Sequence, residues 1–343
     1  MKALVLTGYG KFELLDVPIP TLQPGEVLVR VKAAGICGSD VHGLDGSTGR
    51  RIPPVIMGHE AAGVIETEGE GVTGWKAGDR VTFDSTIYRL DDWYSRKGMY
   101  NLSDNRMVLG VSCQEFKREG AFAEYVAVPQ HILYRLPEKV SFEQAAMVEP
   151  VAVALHAVNL TQVSLNDTAV VGGAGMIALF VIQLLKLAGC RQIIAFDLDA
   201  DRLALARRLG ATHTFKAGEI HLSEEVKKLT NGRGADIGFE VVGVTPVLKT
   251  VIESVRKGAQ VTLIGNVAAE VELPLQQVVT RQLKLQGSCA ICGEYEAALD
   301  LIDRKLIEID PLISAVAPLE EGAEWFNRLY RREKGLMKVI LKP

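Results

Sequence analysis

Ala169-Val170-Val171-Gly172-Gly173-Ala174-Gly175-Met176-Ile177-Ala178 runs from apolar residues, two of them β-branched, through a glycine loop into an apolar, helix-forming segment. Strand, glycine turn and helix in that order open a βαβ unit. Gly173 permits the tight turn and Gly175 lets a pyrophosphate approach the backbone. Ala178 takes the third position, where a small residue suffices for close helix–strand packing. The predicted helix, Ile177 to Ala188, turns free N–H groups and its positive dipole end toward phosphate at Met176 and Ile177. A glycine loop alone is weak evidence. Asp197 strengthens it, 22 residues after Gly175 (197 − 175), where a carboxylate hydrogen-bonds the adenosine ribose. Its charge repels a 2′-phosphate and so favours NAD over NADP; Arg202 nearby weakens that preference, since arginine accepts such a phosphate.

Outward from this stretch the same rhythm continues. The predicted strand Gln192–Phe196 leads to a helix over 202–209, and Ile237–Val242 and Gln260–Ile264 read as further buried strands. This alternation argues an α/β fold with a doubly wound parallel sheet. Residues 1 to about 150 instead alternate short apolar runs with Gly and Pro. Val27–Val31 and Ala62–Ile65 read as strands, and Gly78-Asp79 as a turn into Arg80–Phe83, together an irregular β-barrel. A helix over Tyr295–Asp303 and a closing strand Met337–Leu341 are expected to return to that barrel. The expected division is 1–155 with 290–343 for the barrel domain and 156–289 for the dinucleotide domain.

At 343 residues the chain has room for two domains, and its net charge of −4 gives no electrostatic reason to expect nucleic acid or an anionic membrane. The longest apolar stretch is interrupted by Gln183 and Lys186, too short to span a bilayer. No secretory leader is read in Met1–Leu6. Five cysteines (37, 113, 190, 289, 292) form no framework, which points to a reducing cytoplasm.

In the first half, Cys37 lies in Gly35-Ile36-Cys37-Gly38-Ser39-Asp40-Val41-His42, His59 in Gly58-His59-Glu60, and Glu149 in Val148-Glu149-Pro150. Thiolate, imidazole and carboxylate are the ligand types of a catalytic zinc with one open position. Each residue alone reads as a buried thiol or a structural histidine; their joint appearance, with Glu60 beside them, carries the case. Such a zinc lowers the pKa of an alcohol, and hydride can then pass to nicotinamide. Ser39 and His42 are the candidates to carry the proton out.

These motifs resemble the zinc-dependent medium-chain alcohol dehydrogenases, in the sorbitol, threonine and galactitol-phosphate dehydrogenase branch. Gly58-His59-Glu60-Ala61-Ala62-Gly63, with Gly69 and Val72, is similar to the zinc signature, and the Cys37 and Glu149 segments to those that supply further ligands and the relay. The resemblance spans the whole chain. It implies a GroES-like catalytic domain, a Rossmann domain and a cleft between them. It also implies zinc on Cys37 and His59 with Glu60 or Glu149, the two carboxylates left as alternatives. Val242, Ile264, Gly265, Asn266, Ser288 and Cys289 are implied at the cofactor, and a homodimer or homotetramer built on Rossmann edge strands.

Two departures stand out. Arg89, Asp92, Ser95 and Ser103 occupy the four places where the family often carries structural-zinc cysteines. No structural zinc is therefore expected, and an Arg89–Asp92 salt bridge is expected to hold the lobe. Ala290 and Ile291 stand where sorbitol dehydrogenases place an Arg-Tyr pair, and Gly43 where they place Tyr, which puts sorbitol itself in doubt. The Cys289/Cys292 pair reads as coincidental. Trp75, Trp93, Trp325, His131 and His213 read as packing or surface residues, and Tyr94, Tyr100 and Arg106 as lobe residues.

The expectation is a zinc- and NAD-dependent dehydrogenase that acts on a secondary hydroxyl of a sugar alcohol or related polyol. A threonine-type or diol dehydrogenase is the close alternative. A zinc-free enone reductase has no use for the Cys-His-Glu set. A non-catalytic nicotinamide-binding protein has no need to keep the set together with Ser39 and His42.

Overall fold

The computed structural model describes residues 1–112 and 117–343, so Cys113 lies outside the described residues. The chain forms two compact units, Met1–Glu149 with Ile291–Pro343, and Pro150–Ala290. The first crossing falls between Glu149 and Pro150, earlier than the expected boundary at 155, and the return falls between Ala290 and Ile291, just after 289. No loop marks the first crossing. It lies inside the helix Val148–Asn159, whose first turn tolerates Pro150 because an N–H there has no intrahelical partner to lose.

The Pro150–Ala290 unit is a six-stranded sheet, every pairing parallel. Its order runs His213–Lys216, Gln192–Asp197, Thr168–Gly172, Ala235–Glu240, Val255–Leu263, Lys284–Gly287. By strand number that is 3-2-1-4-5-6, the Rossmann order. Thr168–Gly172 and Ala235–Glu240 are buried at every residue, as strands covered by helices on both faces must be. The helix Met176–Leu187 is so apolar because Ala178 through Leu185 are all buried. The strand expected over Ile237–Val242 ends instead at Glu240. There the carboxylate accepts hydrogen bonds from the N–H groups of Val242 (3.0 Å) and Gly243 (2.8 Å), which turns the backbone out of the ladder.

The other unit is built on mostly antiparallel strands around Glu26–Gly35, which pairs with Glu60–Glu68, Tyr125–Pro129 and the closing strand Lys338–Lys342. Val27, Val29 and Val31 point into a core shared with Leu4, Leu6, Ile65, Phe83, Phe122 and Phe326. One register detail positions the chemistry. Gly35 pairs with Glu60, so Cys37 and His59 emerge from neighbouring strand ends. A Cβ at 35 would lie 2.5 Å from Glu60 Oε2, so a larger residue there would displace the Glu60 carboxylate. Among the described residues no helix is long and apolar enough to cross a membrane.

Candidate metal centre and dinucleotide loop

Cys37, His59 and Glu60 converge: one ligand atom from each lies within 4.8 Å of the others, the one such group of three or more among the described residues. His59 and Glu60 are buried. Cys37 begins the short helix Gly38–Gly43, where its sulfur accepts from the Ser39 N–H (3.5 Å) and from Ser39 Oγ (3.2 Å). Ser39 and His42 lie three residues apart on that helix, both exposed, so they share a face.

Charge around the cluster is arranged in pairs. Behind His59, Asp40 Oδ1 lies 3.4 Å from Nδ1, too poorly aligned for a hydrogen bond, so this buried nitrogen has no hydrogen-bond partner among the described residues. Burial opposes a charge on Asp40, but His59 and Arg51 outweigh it and hold the carboxyl below its ordinary range. Burial likewise opposes charge on His59, and Asp40 and Cys37 outweigh it upward. Glu60 is paired with the Lys338 ammonium, which also donates to Ile36 O at 3.0 Å. Burial lowers the Lys338 pKa, and the charges of Glu60 and Cys37 overcome that and raise it.

Glu149 is placed differently. Its carboxylate is outside the converging group, and burial, then the negative charge of Glu60, push its pKa up to about 8. Desolvation and a neighbouring like charge both favour the protonated form, against the smaller pull of His59 and Lys338. A thiolate, an imidazole and a carboxylate whose ligand atoms converge within 4.8 Å form a donor set that fits zinc and leaves a fourth position open.

In the Pro150–Ala290 unit, Gly173 has φ +104°, a conformation open to glycine, and a Cβ there would lie 2.8 Å from Val242 Cγ2. Gly175 precedes the Met176–Leu187 helix with no side-chain cap, which leaves the first N–H groups free for phosphate. Asp197 ends its strand with Oδ2 accepting from the Ala174 N–H (2.7 Å) and Oδ1 from the Asp199 N–H (2.9 Å), and Arg202 follows in the next helix, Ala200–Leu209. Ile264, Gly265 and Asn266 follow the Val255–Leu263 strand, with Gly265 packed against the Val242–Gly243 backbone. Ser288 donates its N–H to Leu263 O at 2.9 Å, its hydroxyl buried without a partner among the described residues, and Cys289 follows half-buried. All these groups gather at the carboxyl ends of the strands, where doubly wound sheets bind their ligands.

The Arg89–Asp92 bridge does not form. Arg89 forks onto Asp91 (3.1 and 3.0 Å), because Asp92 is committed as the cap of helix Trp93–Arg96. Asp92 accepts from the Ser95 N–H (2.9 Å), Ser95 Oγ (3.2 Å) and Ser103 Oγ. Tyr100 donates to Asp84 at 2.8 Å and accepts from the Gly293 N–H, and Cys292 donates to Gly98 O. Arg135 covers the Trp75 ring and Arg328 the Trp325 ring, as packing residues do. Asp40, Arg51, Lys338 and Asp84 were not singled out from the sequence. Lys338 left the clearest signal, a lone cation opening the apolar run Val339-Ile340-Leu341.

Two family models match, an alcohol dehydrogenase GroES-like domain over residues 23–138 and a zinc-binding dehydrogenase over 177–304. The (R,R)-butanediol dehydrogenase of Neisseria gonorrhoeae is 32% identical, over 100% of this chain and 99% of the relative. The D-xylulose reductase of Saccharomyces cerevisiae is 30% identical, over 99% and 97%. Among solved structures, an Escherichia coli CFT073 alcohol dehydrogenase (rspB) complexed with NADH superposes with a TM-score of 0.92 at 28% identity, covering 100% of this chain and 99% of that one. The chain belongs to the zinc-dependent medium-chain alcohol dehydrogenases. It is an oxidoreductase of CH–OH groups with a GroES-like domain and a Rossmann domain, and zinc and NAD(P) are its cofactors.

Proposed function

We propose that this chain oxidises a secondary hydroxyl of a polyol to the ketone with NAD, at a zinc held by Cys37, His59 and Glu60. The convergence of those three donors within 4.8 Å carries the ligand assignment. Zinc, when bound, supplies the Lewis acidity that makes an alcohol acidic near neutral pH. The chain's own residues do the rest. Lys338 holds Glu60 on one side. Ser39 takes the hydroxyl proton and His42, on the same helix face, passes it to solvent. The free N–H groups after Gly175 bind the pyrophosphate. Asp197, oriented by the Ala174 N–H, takes the adenosine ribose and disfavours a 2′-phosphate, while Arg202 limits that preference.

The polyol reading draws support from the similarity to D-xylulose reductase, and the similarity to (R,R)-butanediol dehydrogenase supports a diol instead. Gly43, Ala290 and Ile291 favour a second reading, a short diol, because none can hydrogen-bond a long hydroxylated chain through its side chain. NADH formation on a panel of polyols, sugar phosphates, aldonates, threonine and diols separates the two. Protein of measured zinc content that turns over none of them sinks both. We further propose a cytoplasmic homodimer or homotetramer, checked by light scattering.

A further inference from the structure

Arg51 is a buried arginine outside every motif read in the sequence. Its Nε and Nη2 donate to one oxygen of Asp40, Oδ1, at 3.1 and 2.7 Å, and both side chains are shielded from solvent, at 3% and 0% exposure. The same oxygen lies 3.4 Å from His59 Nδ1. The other, Oδ2, accepts from the Cys37 N–H at 3.4 Å. One carboxylate thus reaches toward two of the three converging residues, and Arg51 grips it. Arg51 also donates through Nη1 to Arg50 O (3.1 Å) and through Nη2 toward Ser39 Oγ (3.4 Å).

The seat of this arginine accounts for a glycine. A Cβ on Gly43 would lie 2.5 Å from Arg51 Cγ and 3.3 Å from its Cβ. The tyrosine that sorbitol dehydrogenases carry after the relay histidine could not share this space with Arg51.

We propose that Arg51 is a positioning residue for the metal centre, holding Asp40 so that it orients the His59 ring and the Cys37 backbone, with Gly43 providing its seat. This rests on Cys37, His59 and Glu60 being the zinc ligands. A ligating imidazole needs its second nitrogen fixed by a partner, and disturbing such a partner weakens metal binding by roughly 10–100-fold. A free Asp40 carboxylate has several rotamers; a carboxylate forked by a rigid guanidinium has one.

The test is cobalt(II) binding by the metal-stripped full chain, read by chelator competition and by the visible spectrum, with thermal melting alongside. Arg51→Met is expected to bind cobalt about 10–100-fold more weakly, with altered d–d bands. Arg51→Lys keeps the charge without the fork and should recover part of the affinity. Gly43→Ala should reproduce the loss by displacing the arginine stem. Should Arg51→Met fail to fold, Arg51→Lys and Gly43→Ala carry the test. Variants that melt lower yet keep wild-type affinity and spectrum would show a purely structural ion pair and overturn the proposal. A wild-type chain that binds neither cobalt nor zinc would defeat the ligand assignment first, and this inference with it.

Discussion

Two polar clusters in the barrel unit follow opposite rules. At Cys37, His59 and Glu60, donor atoms converge while their charges are balanced from behind, by Asp40 and Arg51 on one side and Lys338 on the other. At Asp92, Ser95 and Ser103, polar atoms satisfy one another, the carboxylate accepting from both serines. An open cluster of this kind retains affinity for an ion, whereas a closed one has exchanged it for hydrogen bonds. The difference teaches that a ligand set is recognised by whether its donor atoms converge on one point or bond to one another, more than by residue type.

The most direct way to break this contrast is Cys37→Ser. It should abolish stoichiometric zinc and lower kcat/KM by roughly a thousandfold or more, since the Lewis acid supplies several kcal/mol of the barrier reduction. Elemental analysis beside steady-state kinetics checks both. Full activity in this variant would show that the open cluster is not the metal site.

Next in size is a pH effect where the lobe meets the barrel. Asp84 is buried, and burial pushes its pKa up to about 6 against the hydrogen bonds it accepts from the Thr86 N–H and Tyr100, with Glu294 adding a smaller upward push. A raised carboxyl pKa means that the folded chain binds the proton more tightly than the unfolded one. Its stabilising contribution is therefore complete below about pH 4 and is lost as pH rises through 6, about 3 kcal/mol in all at 1.4 per unit. Asp84→Asn should flatten the denaturation free energy across that window. An unchanged slope would mean that Asp84 ionises freely.

What the sequence could tell followed the range of the interactions. Gly173, Gly175 and Asp197 were legible because one βαβ unit brings them together within 25 residues (197 − 173 + 1). Cys37 and His59 were legible as types, but Glu60 and Glu149 stayed indistinguishable. The choice between them depends on the Gly35–Glu60 register and on Lys338, which arrives from the far end of the chain. Arg51 left no local signal, because its meaning lies in a contact with Asp40 and a glycine across a turn. The lobe misled at short range. Asp91 and Asp92 look equivalent as partners for Arg89, and only helix capping separates them.

That separation sharpens the closed cluster. Asp92→Ala removes a helix cap and leaves two serine hydroxyls without their acceptor, so urea denaturation should register a clear loss of stability while zinc content stays constant. A fall in zinc content would mean that the two clusters are coupled.

Arg89→Ala should do least. Its fork onto Asp91 is exposed on both sides, at 65% and 61%, where water screens the pair and ordering two side chains offsets most of the attraction. Little or no change in stability is expected, as for surface substitutions generally. The comparison with Asp92→Ala then isolates the source of the lobe's order. If the aspartate costs more than the arginine, hydrogen bonding around one carboxylate has taken over the role of the absent thiols. If the arginine costs as much, charge pairing at the surface holds the lobe, and the Asp92 network is secondary to it.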